Sequence, residues 1–137
     1  MLQAMNTGHD GSMTTVHANS PRDAFSRLET MVMMASQNVP DRVIRHQLVS
    51  AINLVIQMSR LLDGTRRVTS VSEVVGVHDD RVELQDLFVF ERLGVTPSGK
   101  VVGRFHATGV RPLAMERLKA CGIHLSDSIF REVHEIK

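Results

Sequence analysis

The hydrophobic pattern of this chain changes period near Leu54, and that change limits its possible folds more than any other feature. Before it, apolar residues recur at helical spacing, first Ala24, Phe25, Leu28, Met31, Val32 and Ala35, then Val43, Ile44, Leu48, Ala51 and Ile52. From Leu54 they alternate, with Leu54, Ile56 and Met58 on one side and Gln57 and Ser59 on the other. Steps of three to four line one face of a helix and steps of two line one face of a strand, so two helices must hand over to a sheet.

Local signals set the boundaries. Ser20 is an N-cap, Pro21 takes the first helical position and Asp23 meets the free amides of the first turn, so a helix starts there and runs to about Gln37. Pro40 and Asp41 open the second helix. Asp63-Gly64 marks a hairpin turn, and strands are predicted over 67–77, 82–90 and 100–106, the last two joined across LGVTPSG. The chain returns to helix near Pro112 to Ala120 and again, more briefly, from Ser126. Ahead of Ser20, MLQAM reads as the closing turns of a helix without its start, GHDGS as a turn, and SMTTVHA, Ser12 to Ala18, as a short β-branched strand. A strand feeding a helix, then a helix feeding hairpins, predicts an α/β fold with an antiparallel β-hairpin extension and C-terminal helices. No repeat or long linker divides the 137 residues, which are expected to form a single, partial domain.

Charge and composition narrow the function. Sixteen basic and fifteen acidic residues leave a net charge of +1, which gives no global attraction to nucleic acid or an anionic membrane. Aromatics are only 4% with no Trp or Tyr, too few for a base-stacking platform. The single Cys121 has no partner for a disulfide or a CxxC pair, in keeping with a reducing compartment. No apolar run reaches the roughly 18 to 20 residues that span a bilayer, so a cytosolic protein without direct membrane insertion is expected.

Gly94 to Val101, GVTPSGKV, resembles a phosphate-binding loop. The chemistry argues against it, because Pro97 removes an amide, Val101 has no hydroxyl for Mg²⁺, and the following VVGRFHATG is too β-branched and glycine-rich for the required helix. Pro-Ser-Gly suits a turn between strands, with Lys100 in solvent.

Two of the seven histidines, His9 and His17, are set eight positions apart in NTGHDGSMTTVHANSP. Their spacing alone suits ordinary surface or core histidines as well as a site. A zinc site from His9, Asp10 and His17 lacks the usual ligand spacing, and no GxSxG supports a Ser-His-Asp triad. Position favours function: His17 would close a strand that leads into a capped helix, the edge where open α/β sheets bind ligands. Gly8 and Gly11, flanking His9 and Asp10, permit close backbone approach to a ligand, and a histidine can donate to a phosphate oxygen.

The run MLQAMNTGHDGSMTTVHANSPRDAFSRLE, with its TGH and VHAN ends, closely resembles the histidine box of the bacterial type II/type IV secretion and pilus-assembly ATPases, particularly the tight-adherence (Flp) pilus branch. SRLLDGTRRVTSVSEVVG, LQDLFVFE and GKVVGRFHATGVRP are similar to later parts of that branch. The resemblance implies the C-terminal portion of a RecA-like P-loop NTPase domain in a hexameric motor. In such a motor ATP and Mg²⁺ bind near subunit boundaries, and hydrolysis drives pilin assembly or export through inner-membrane platform proteins. His9 and His17 match box histidines that sense the nucleotide state, Gly8 and Gly11 lie beside them, and Arg27 matches a basic residue of the following helix.

Phosphoryl transfer also needs a gripping loop with its Lys, a Mg²⁺ ligand and an acidic residue, and none has a candidate among these residues. In the family all three precede the histidine box. The resemblance therefore implies that these residues begin after the Walker B region, bind neither ATP nor Mg²⁺ tightly alone, and are inactive alone. It also implies a homo-oligomer at the cytoplasmic side of the inner membrane, held there through partners and not bound to nucleic acid. A catalytically silent module that docks on motor subunits or self-associates through a bare sheet edge is the alternative.

Overall fold

The computed structural model describes residues 11–36, 38–131 and 133–136. In order, α1 spans Pro21–Ala35, α2 Asp41–Ala51, β1 Leu54–Arg60, β2 Arg66–His78, β3 Arg81–Val95, β4 Val101–Ala107, α3 Ala114–Ala120, a 3₁₀ turn Asp127–Phe130, and β5 Val133–Ile136. The strands form one five-stranded sheet in the order β1-β2-β3-β4-β5, each beside its neighbour in sequence. Pairs β1–β2, β3–β4 and β4–β5 are antiparallel. The chain is thus α/β in composition, with its described strands in a meander.

The chain divides into two compact units. The first contains α1, α2 and residues 74–84, the far ends of β2 and β3 with the turn between them. Ala24 and Phe25 of α1, Ile44, Leu48 and Ala51 of α2, and Val82 are buried. Arg45 donates to both carboxylate oxygens of Glu29, at 2.8 and 3.1 Å, and lies 3.4 Å from Asp80. One guanidinium so joins both helices to the turn, and its hydrogen bonds to Glu29, ahead of the charge attraction, raise the Arg45 pKa. Asp79 and Asp80 both have positive φ, 47° and 61°. Left-handed geometry at both central residues is that of a type I′ turn, whose twist matches the strands it joins.

The second unit contains the rest of the sheet, α3 and the 3₁₀ turn. Phe88 stacks on Phe105 at 5.8 Å between centroids and tilts against Phe130 at 5.9 Å. Gly103 lies against the Phe90 ring, and a Cβ there would meet that ring and fall 2.6 Å from the Glu91 carbonyl oxygen. Two carboxylates tie distant segments together. Buried Glu73 accepts from the amides of Leu113 and Ala114, both at 2.8 Å, satisfying free donors at the start of α3. Asp63 accepts from Thr65 Oγ1 at 2.6 Å, Val101 N at 2.8 Å and Thr65 N at 3.0 Å. The Thr65 hydroxyl first, then the two amides, lower its pKa from 3.8 to about 2.

Several expectations change. Ser12 to Ala18 is not a strand: the segment joins no ladder of the sheet, and Met13 is 98% exposed. Thr and Val favour extended backbone, but a strand exists through ladder hydrogen bonds to a neighbour, and all five strands of the sheet lie elsewhere. The strand expected to feed α1 is therefore absent from the described residues. Of the two C-terminal helices, the first shortens to Ala114–Ala120 and the second is a single 3₁₀ turn, followed by β5, which no local signal announced. β3 runs on to Val95 through Leu93 and Gly94, residues that read as loop, because the register with β4 shifts between Arg92 and Gly94 and absorbs them as a bulge. The expected helix end MLQAM lies outside the described residues.

Candidate functional site

The histidine-bearing segment enters the described structure at Gly11, whose φ of +90° is left-handed. A Cβ there would meet nothing within 4 Å, so the backbone angle and not crowding is what suits glycine. Residues 11–18 then run without regular structure to the helix start. The Ser20 hydroxyl accepts from Asp23 N at 3.1 Å, and the Ser20 carbonyl accepts from Ala24 N at 3.0 Å. This is the cap that the Ser-Pro-x-Asp order predicts, and it fixes the direction in which the preceding residues leave α1.

Arg27, two turns into α1, reaches back to the same place. Its Nη1 donates to the His17 carbonyl oxygen at 2.9 Å. The cap at Ser20 and the guanidinium at His17 hold the segment at two points three residues apart, with the His17 residue exposed. An exposed imidazole on a backbone held in this way can present a hydrogen-bond donor to an oxyanion at a set position. Arg27 binds through main chain, so the identity of residue 17 can change while this contact remains.

His9, Asp10 and Gly8 lie outside the described residues. The structure therefore brings together His17 and Arg27 of the expected set and places Gly11 at the segment's entry. No group of three or more His, Cys, Asp or Glu suited to a metal occurs among the described residues. Gly94 to Val101 is a hairpin connection: Thr96 N donates to the Lys100 carbonyl and Gly99 N to the Thr96 carbonyl, both at 2.8 Å, and Val95 pairs with Val101. A strand and not a helix follows the glycine, and Lys100 is exposed, so this segment does not form a phosphate loop.

Sequence reasoning missed the Glu29–Arg45–Asp80 group and the buried Glu73. Neither has a local signature, because their partners lie tens of positions away and single charges carry no periodicity. No described helix is long and apolar enough to cross a membrane. Cys121 is exposed.

Comparison with known proteins adds what geometry alone does not. Residues 1–111 match the profile of the family described as Type II/IV secretion system protein. The chain is 34% identical over 85 residues to the conjugal transfer protein TrbB of Rhizobium radiobacter, covering 62% of this chain and 25% of that one. It is 36% identical over 73 residues to the type IV secretion system protein VirB11 of Bartonella henselae, covering 51% of this chain and 20% of the relative. The chain thus spans a quarter or less of the length of these relatives.

Proposed function

The chain belongs to the family of type II/IV secretion system proteins, and from that premise we propose that it is the C-terminal part of a motor that couples ATP hydrolysis to export or to pilus assembly. The observation that carries this reading is the family match across the histidine-bearing segment, together with the fixed presentation of His17 by Ser20 and Arg27. In the intact motor His17 and His9 sense the γ-phosphate, with Gly8 and Gly11 shaping the approach. Arg27 serves by holding the His17 main chain. The phosphate-gripping loop, the Mg²⁺ ligand and the acidic residue come from outside these residues, within a RecA-like domain that works as a hexamer.

The names of the relatives favour a conjugation or type IV secretion system, and the later segments resembling the tight-adherence branch favour a pilus. Both reduce to the same task at the cytoplasmic face of the inner membrane, against platform proteins. In a full-length motor, His17→Ala is expected to lower ATP turnover roughly a hundredfold, the size of effect seen when one oxyanion donor is lost, with the fold intact. Unchanged turnover would remove the sensing role. Titration of the 137-residue chain with Mg-ATP is expected to show no tight binding; a tight complex would place a cradle within it.

A second reading has its own support. Leu54, Ile56 and Met58 on edge strand β1 are 49%, 62% and 59% exposed, while Gln57 and Ser59 on the opposite face are less so. An apolar edge of this kind favours a silent module that associates with motor subunits or with itself. Sedimentation velocity across a concentration series tests it, and a monomer throughout would rule out self-association.

A further inference from the structure

Two bonds hold the histidine-bearing segment to α1, from Asp23 N to the Ser20 hydroxyl at 3.1 Å and from Arg27 Nη1 to the His17 carbonyl at 2.9 Å. The direction in which residue 17 is presented therefore follows the placement of α1. Phe25 of α1 and Ile44 and Leu48 of α2 are buried where the two helices pack, but apolar contact is non-directional and lets one helix slide or roll on another.

Glu29 supplies the missing direction. It stands two residues beyond Arg27, about 200° around the helix, so α1 turns Arg27 to the His17 main chain and Glu29 to α2. The carboxylate oxygens of Glu29 accept from Arg45 Nε at 2.8 Å and Nη2 at 3.1 Å, and the two side chains are 16% and 18% exposed. A planar fork on a carboxylate fixes angle as well as distance, which one bond or an apolar contact does not. Net stability is a poor account of so enclosed a pair, because desolvation offsets much of the attraction. Arg45 Nη1 also lies 3.4 Å from Asp80, at the second central position of the β2–β3 turn. Glycine suits that position best, yet Asp80 occupies it at a φ of 61° and sets a carboxylate beside Arg45.

The structure assigns Glu29 and Arg45, backed by Asp80, as positioning residues for His17: their ion pair sets the angle of α1, and α1 sets where Ser20 and Arg27 hold the segment. The assignment rests on the sensing role proposed for His17. All three residues act through α1 and not on the nucleotide.

A double-mutant cycle on ATP turnover by the full-length motor tests it. Arg45→Lys keeps the charge and loses the fork; by misplacing His17 it is expected to lower kcat about tenfold, with the KM for ATP within about twofold of wild type. In a His17→Ala background the same change should alter kcat by less than about twofold, since its effect passes through His17. Glu29→Gln keeps the shape and one acceptor oxygen, so a smaller loss of about threefold is expected, with the same dependence on His17. Asp79→Asn, on the same turn but 3.4 Å from His78, should leave turnover unchanged, because asparagine tolerates the left-handed backbone there. In the 137-residue chain without nucleotide, Arg45→Lys should shift the His17 carbonyl-carbon resonance as Arg27 loosens. Circular dichroism checks the fold of each variant, and Glu29→Gln carries the test if Arg45→Lys does not fold. An undiminished loss in the His17→Ala background, a raised KM in place of a lowered kcat, or an unmoved His17 resonance would overturn the positioning role and leave the sensing role standing. Unchanged turnover in His17→Ala alone would remove the sensing role, and the positioning role with it.

Discussion

Residues 12–18 and residues 54–60 are both short stretches rich in side chains that favour extended backbone, yet they have different fates. SMTTVHA lies in no strand of the sheet; Arg27 holds its His17 carbonyl, and the segment stays irregular and largely exposed. LVIQMSR pairs along its length with β2, from Leu54 opposite Glu73 to Arg60 opposite Arg66, across a bulge at Gln57 and Met58. Propensity is nearly matched, so the difference lies in what stands alongside. β2 is delivered to β1 by a five-residue connection closed by Leu61 N to Thr65 O at 2.8 Å, whereas Ser12 to Ala18 is followed by a helix. A strand is a relation between two segments, and a single segment states only half of it.

That contrast can be broken or sharpened by substitution. The largest effect is expected at Gly103, where Gly103→Val drives a side chain into Phe90 and the Glu91 carbonyl; denaturant unfolding should show a loss of about 3 kcal/mol. A wild-type midpoint would mean that the sheet is looser than its contacts indicate. Next comes Glu73→Ala, which leaves the Leu113 and Ala114 amides without their acceptor and should lower stability by about 2 kcal/mol.

Ser20→Ala should cost about 1 kcal/mol through the lost cap, and nuclear magnetic resonance should place the added fraying in the first turn of α1. A smaller, pH-dependent effect belongs to Asp63. Its folded pKa of about 2 lies below the unfolded 3.8, so its contribution is present above about pH 4 and is lost as pH falls towards 2. Acid titration of Asp63→Asn should be flatter across that window; an identical acid limb would show that the contacts of this exposed carboxylate add nothing. The smallest effect is Thr15→Ala, expected within about 0.5 kcal/mol. Hydrogen exchange supplies the direct check, because amides 12–17 should exchange readily while paired amides of 54–60 are protected. Slow exchange in the first segment would mean it has a partner, and the contrast would collapse.

What could be read in advance follows the same division. Ser20, Pro21 and Asp23 define a helix start by themselves, and the structure has the helix start where they place it. Asp63-Gly64 and Thr96 to Lys100 are turns by local chemistry, which is why the apparent phosphate loop could be set aside from its Pro97 and Val101 alone. The end of β3, the existence of β5 and the inward use of Glu73 depend on segments far along the chain and had no local signature. At the candidate site the capped helix was legible, and Arg27 was noticed, but its grip on the His17 carbonyl was not, since a main-chain acceptor has no residue type to flag it. The apolar alternation of β1 was also read correctly as a pattern, while the side of it that faces solvent was not.

The order β1-β2-β3-β4-β5 has a further consequence for how the sheet is made. Every strand lies beside the one synthesised just before it, so a nascent chain finds each partner waiting as it leaves the ribosome. Loop-closure entropy is low at the short connections from β1 to β4 and larger only for the crossing from β4 to β5, so the sheet can zip from its first hairpin outward. The Glu73 and Asp63 contacts, which reach forward some forty residues, wait for the start of β4 and of α3 and then tie those later segments back to the first hairpin.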